Sequence, residues 1–218
     1  MAMYGGRHRR VARPEEKATS YALFAAEALG DYSTTANIVP SSRHLARAML
    51  EPLQLEQASV VVELGPGTGA ITRALLELMP SHSKLIAFEL NPRFCRYLRR
   101  TLTNPRLAVL NASAEKVGWH LRQLGCRRVD AVVSSLGLSL MSDQQRKAIL
   151  RELLPYFDEN SIFTQYQYLG SGLGDVVSRS WERGRSSVPR LLRQHFGSVH
   201  TKTVWLNLPP AVVFTCKK

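Results

Sequence analysis

Val60-Val-Val-Glu-Leu-Gly-Pro-Gly-Thr-Gly69 decides the fold of this 218-residue chain. Val60–Leu64 reads as a buried β-strand that runs directly into a turn holding three glycines. Ala70–Met79 follows with helical spacing of its apolar residues. Between a strand and a helix, such a turn reverses the chain tightly and lets a ligand approach the backbone closely. The same alternation continues downstream: strand Lys84–Glu89 with helix Pro92–Leu102, and strand Leu107–Asn111 with helix Ala114–Leu124. Strand Val129–Ser134 is followed by helix Asp143–Leu154 and then strand Ile162–Tyr168. Strands that alternate with helices predict a parallel sheet covered on both faces. Val199–Trp205 and Val212–Cys216 break the pattern. Leu206-Asn-Leu-Pro-Pro210 between them is too short for a crossover helix, so these two strands must pair antiparallel. The predicted fold class is α/β, a mostly parallel seven-stranded sheet with a C-terminal antiparallel hairpin and helices at the N-terminal side.

Upstream of this core, residues 1–13 are rich in Arg and Gly and read as a disordered basic arm. Ala18, Tyr21, Ala22, Ala25, Ala28 and Leu29 recur at helical spacing, which predicts an amphipathic helix from Glu15 to about Leu29. A second helix is expected after Pro40, N-capped by Ser41 or Ser42 and running to Leu50 before Pro52 stops it. The length favours one large domain. The organisation expected is an arm and amphipathic helix over residues 1–40, then a single α/β domain over 41–218.

Charge narrows the partners. Lys and Arg number 29 against 17 acids, a formal +12, which attracts polyanions: nucleic acid or an anionic membrane surface. Cys95, Cys126 and Cys216 are widely spaced, so neither a disulfide framework nor a zinc site is expected, and a reducing cytoplasm is. No metal cluster is visible, and no stretch reads as a signal peptide or membrane span.

Glu63 chooses the ligand of the glycine turn. Through Ala70 the turn also fits a dinucleotide-binding pattern, but a carboxylate at that strand tip would repel a pyrophosphate. The ammonium and sulfonium of S-adenosylmethionine would instead be attracted. Glu89 ends the second strand, where an acid can accept hydrogen bonds from both ribose hydroxyls. Asn111-Ala-Ser-Ala-Glu115, at the third strand's end, should border the adenine, with Ser113 its acceptor.

Glu63-x-Gly-x-Gly-x-Gly69 resembles the signature of class I S-adenosylmethionine-dependent methyltransferases, and so does the order of elements over residues 41–218. A narrower resemblance, to bacterial phospholipid N-methyltransferases, rests on five segments, the glycine motif among them. These are Pro40-Ser-Ser-Arg-His-Leu-Ala46, Val62-Glu-Leu-Gly-Pro-Gly-Thr-Gly69, Val132-Val-Ser-Ser-Leu136, Phe163-Thr-Gln-Tyr-Gln-Tyr168 and Trp205-Leu-Asn-Leu-Pro-Pro-Ala211. Gly137 stands where those enzymes usually carry proline, and Ser113 where relatives carry an acid. The resemblance implies a Rossmann-like fold and S-adenosyl-L-methionine as cofactor. Glu63, Gly65, Gly67, Thr68 and Gly69 would hold it from the first strand, with Glu89 and Leu90 from the second. Ser113, Ala114 and Ser134 would complete its site.

Enzymes that methylate base amines end the fourth strand in Asn or Asp followed by Pro-Pro-Tyr, which orients the amine and stacks on the flipped base. Ser134-Ser-Leu-Gly137 provides neither. Asn207-Leu-Pro-Pro210 imitates that motif but belongs to the terminal hairpin. The acceptor expected is therefore an amine-bearing membrane lipid, phosphatidylethanolamine first and ornithine lipid second. Ser134, Tyr166 and Tyr168 are the catalytic candidates, with Trp205 a further aromatic wall; His44 and His120 are read as structural. Two basic segments, Arg7–Lys17 and Arg179–Arg193 with Trp181, Val188, Leu191 and Leu192, suit peripheral docking on the cytoplasmic membrane's inner face. No stable protein partner is expected. The alternatives are an RNA adenine N6-dimethyltransferase relative, favoured by charge and fold, and a catalytically silent domain that binds acidic surfaces.

Overall fold

The protein is described by a computed structural model over residues 42–169, 187–207 and 209–218. Seven strands form one sheet in the order β3-β2-β1-β4-β5-β7-β6. They are β1 (Val60–Leu64), β2 (Lys84–Glu89), β3 (Leu107–Asn111), β4 (Ala131–Ser134), β5 (Ile162–Tyr168), β6 (Ser198–Val204) and β7 (Ala211–Lys217). The first five strands pair in parallel, and β7 lies antiparallel between β5 and β6. The helices are α1 (Arg43–Leu50), α2 (Ala70–Leu78), α3 (Pro92–Thr101), α4 (Val117–Gln123), α5 (Asp143–Leu153) and α6 (Ser187–His195).

Side chains alternate between the two faces of a strand, and each face here has its own core. Val62, Leu64, Val132 and Phe163 point to the face covered by α4, α5 and α6. Val61, Val133, Ile162 and Tyr166 point to the face covered by α1 and α2. Helix starts follow their caps. Ser42 accepts a hydrogen bond from the Leu45 amide, Asn91 caps α3 with Pro92 behind it, and Ser142 with Gln145 forms a capping box on α5.

The predicted helix over Ala114–Leu124 begins instead as a 3-10 turn, Ala114–Lys116, capped by Ser113. The fourth strand starts at Ala131, because the Asp130 carboxylate is drawn aside to accept the Ser59 and Val60 amides. The larger correction is α6. Its apolar residues were read as part of a basic docking segment, yet Val188, Leu191 and Leu192 are buried in the core, and Phe196 stacks on Phe163. Val188, Leu191 and Leu192 stand at i, i+3 and i+4, the spacing of a core-facing helical stripe, while Arg190, Arg193 and Gln194 reach solvent. Residues 1–41, Arg179, Trp181, Arg183 and Arg185 lie outside the described residues, and with them the arm and first amphipathic helix.

The strand order sets the location of any site. β1 is flanked by β2, reached through α2, and by β4, so the connections leaving β1 and β4 diverge at their carboxyl ends and open a crevice there. Glu63, Glu89 and Ser134 all stand at or next to the carboxyl ends of their strands. Leu192→Ala should lower stability by about 2–5 kcal/mol in urea unfolding, as a core truncation does. Arg193→Ala should change it by less than about 0.5 kcal/mol. Equal, small effects would contradict the burial of α6.

Candidate active site

The turn after β1 has a left-handed backbone at Gly65, Gly67 and Gly69, with φ of 72°, 55° and 80°. At Gly69 a Cβ would also crowd the packing, standing 2.6 Å from a Leu98 methyl that would have to shift. The turn is clamped from behind: the Arg73 guanidinium donates to the Thr68 and Gly69 carbonyls at 2.9 and 3.0 Å. The Gly67 amide does not await a phosphate. It donates to Glu89 Oε2 at 3.0 Å, while Glu89 Oε1 accepts the Asn91 amide at 2.8 Å. The Gly67 amide is thus taken by a carboxylate and is not open to a phosphate.

Glu63 is fully buried. Its Oε2 accepts a hydrogen bond from the Thr72 hydroxyl at 2.7 Å, and its Oε1 has no partner. A buried carboxyl oxygen left unpaired is unfavourable, so this site is built to receive a donor, best a cationic one. Burial raises the Glu63 carboxyl to about 8, with the Thr72 bond opposing the rise and the Glu89 charge adding to it. Burial raises Glu89 as well, against the pull of its backbone hydrogen bonds. These features fit the ammonium of the cofactor's methionine end.

The other expected cofactor residues divide. Leu90 is exposed just beyond β2, its carbonyl held by the Asn111 side-chain amide at 2.9 Å. Thr68 is buried and contributes its backbone. Ser113 spends its oxygen on the Glu115 amide as a turn cap, and Ala114 packs into the core. Ser134 is buried with no partner for its hydroxyl, between Leu64 of β1 and Gln165 of β5.

The acceptor candidates do not form one cluster. Ser134 shares its face with Val132, whereas Tyr166 and Tyr168 lie on the opposite face of the sheet. Tyr166 is only 4% exposed and packs as a core residue. Its ring meets Tyr168 edge-on at 5.2 Å, and Tyr168 is partly open at the end of β5. Trp205 is 72% exposed and walls no closed pocket among the described residues. His120 packs edge-on against Phe88 and Trp119. Thr72 and Arg73 went unrecognised in the sequence, and Asn111 and Gln165 entered there only as members of longer segments. The Gln165 amide donates to the Leu136 carbonyl at 2.9 Å and so ties β5 to the segment after β4.

One consequence can be measured without any ligand. Folding raises the Glu63 carboxyl from 4.5 to about 8. The stability linked to it is therefore fully present below the unfolded value and is lost as pH rises through the folded one. Urea unfolding of the cofactor-free protein should show stability falling across that window. Glu63→Gln, which cannot ionise, should remove much of the decline; an unchanged decline would show that Glu63 is not the buried acid described.

Residues 61–157 match the family model described as "Methyltransferase domain". Over 196 residues the chain is 26% identical to the ornithine lipid N-methyltransferase of Singulisphaera acidiphila, covering 89% of this chain and 94% of that protein. It is 35% identical over 95 residues to ribosomal RNA small subunit methyltransferase H of Aromatoleum aromaticum, which covers 44% of this chain and 30% of that protein. Among solved structures, the fold is similar to the 1,6-didemethyltoxoflavin-N1-methyltransferase of Burkholderia thailandensis, determined with S-adenosylhomocysteine bound. There the TM-score is 0.59 at 17% identity, over 97% of this chain and 93% of that one. With the glycine turn, the buried Glu63 and the switch in strand order, these likenesses show a Rossmann-like methyltransferase fold, and the chain is an S-adenosylmethionine-dependent methyltransferase.

Proposed function

We propose that this enzyme N-methylates an amine-bearing membrane lipid, with phosphatidylethanolamine and ornithine lipid as the candidate acceptors. The observation that carries the reading is the end of β4. Ser134-Ser-Leu-Gly137 offers short hydroxyls and an apolar side chain where base methylases need an amide or acid and a stacking aromatic. The likeness to an ornithine lipid N-methyltransferase along nearly all of that protein supports it, because the ribosomal RNA enzyme aligns over less than a third of its length.

In this reading Glu63 accepts hydrogen bonds from the cofactor's ammonium, Glu89 is turned toward the ribose, and Leu90 covers the adenine. When bound, S-adenosylmethionine supplies a methyl group on a sulfonium that needs no further activation. The chain's own task is then to hold the acceptor amine neutral and in line. With a lysine-like pKa of about 10.4, deprotonating that amine at pH 7 costs about 4.6 kcal/mol, and an apolar pocket reduces the cost by disfavouring the ammonium. The open end of Tyr168 offers a ring face for an ammonium headgroup. Ser134, on the other side of β4, borders the cofactor rather than the amine.

The test offers labelled cofactor to vesicles containing phosphatidylethanolamine, to ornithine lipid, and to unmethylated ribosomal RNA. Label should enter a lipid. Tyr168→Ala should slow transfer by about three- to thirtyfold, the range of a cation–π contact, with cofactor affinity nearly unchanged. Label in the RNA alone would overturn the proposal and favour the second reading, an RNA methyltransferase, which the +12 charge supports.

A further inference from the structure

The β6–β7 turn carries the two most exposed large apolar side chains among the described residues, Trp205 at 72% and Leu206 at 74%. Its place in the sheet gives it meaning. β7 is antiparallel to β5 and β6 is antiparallel to β7, so β6 ends at the same edge as the parallel strands. Val204 pairs with Ala211, and Ala211 with Tyr168, which lines the turn up with the open end of β5. The turn is also anchored. Asn207 is buried, its side-chain oxygen accepts the Ser42 amide at 3.3 Å, and its amide donates to the Pro209 carbonyl at 2.7 Å. This bond joins the turn to the N-terminus of α1, whose exposed face presents Arg43, His44 and Arg47. His44, Arg47 and Lys202 line one shallow groove with Trp205 and Leu206, and its acid, Glu51, is already paired with Lys202 at 2.7 Å.

From this arrangement we infer that the β6–β7 tip and the basic face of α1 together form an anchor for an anionic bilayer interface. The tip inserts Trp205 and Leu206 at headgroup level while Arg43 and Arg47 meet the lipid phosphates. An amphipathic aromatic beside an aliphatic residue suits that depth, and each cation near an anionic surface adds to binding. Because the tip lies on the carboxyl edge, insertion turns the crevice holding Glu63 and Glu89 toward the membrane. Leu90 and Leu140, both exposed beyond the ends of β2 and β4, lie on that edge as well. The inference rests on the lipid reading for the purpose of docking, and not for the geometry of the anchor.

The experiment uses the full chain and vesicles of phosphatidylglycerol with phosphatidylcholine. Trp205→Ser combined with Leu206→Ser should weaken vesicle binding about tenfold or more, the scale of burying one large side chain. Leu78→Ser, at the opposite edge of the sheet, should leave vesicle binding unchanged, and S-adenosylhomocysteine binding confirms the folding of each variant. A chain with Trp119→Phe and Trp181→Phe reports on Trp205 alone, whose emission should shift to the blue and be quenched by brominated lipid. Vesicle binding undiminished in the tip variant, or Trp205 emission unmoved on saturating vesicles, overturns the inference. Methyl transfer to detergent-dispersed lipid is measured in parallel. Transfer there without insertion sinks the anchor alone, whereas insertion without transfer to any lipid sinks the substrate assignment alone.

Discussion

A carboxyl group sealed from water at the end of β1, with one oxygen bonded and the other unpaired, is the constraint around which this site is arranged. In the deep interior an unpaired carboxylate is strongly disfavoured, and burial pushes the Glu63 carboxyl up to about 8. Thr72 is placed to satisfy one oxygen because α2 starts immediately after the glycine turn and lays its first turn over β1. The second oxygen is left for a ligand, and a primary ammonium is the donor that compensates most fully.

The neighbouring acid has a different task. Glu89 is engaged by the Gly67 and Asn91 amides, so it bridges the glycine turn to the start of α3 and fixes the width of the crevice. Arg73 holds the same turn from its other side. With both sides pinned, the backbone can keep three positive φ values without relying on a bound ligand. The site is therefore built into the frame of the sheet, and the carboxyl edge carries both the cofactor crevice and the exposed β6–β7 tip.

Much of this was legible in the chain. Alternating strand and helix periods located five parallel strands, and the short 206–210 connection required an antiparallel pair. The place of Glu63 and the glycine turn at a strand end was readable because one short strand–turn–helix segment carries them, whereas the bond from the Gly67 amide to Glu89 spans 22 residues. What could not be read depends on long-range packing. The arginines around Val188, Leu191 and Leu192 suggested a surface segment, but core burial of the apolar stripe decided the helix and left the charges outside. Tyr166 and Tyr168, two residues apart, share a face by the strand's period, while Ser134 on the adjacent strand faces the other way. That relation needs the β4–β5 register, which pairs Ser134 with Gln165. Ser113 was read as a ligand contact, and its hydroxyl caps a turn, a use that a serine before a tight turn serves equally well in sequence.

The most direct test of the central claim separates the ammonium from the rest of the cofactor. Calorimetric titration should compare S-adenosylhomocysteine with 5′-methylthioadenosine, which keeps the adenine, ribose and sulfur but lacks the amino acid end. If Glu63 is the ammonium's partner, Glu63→Gln should weaken S-adenosylhomocysteine by about tenfold or more, as loss of a buried charge-assisted bond does. The affinity for methylthioadenosine should stay the same. Equal losses for both ligands, or none for either, would contradict the claim that the unpaired oxygen of Glu63 receives the cofactor's ammonium.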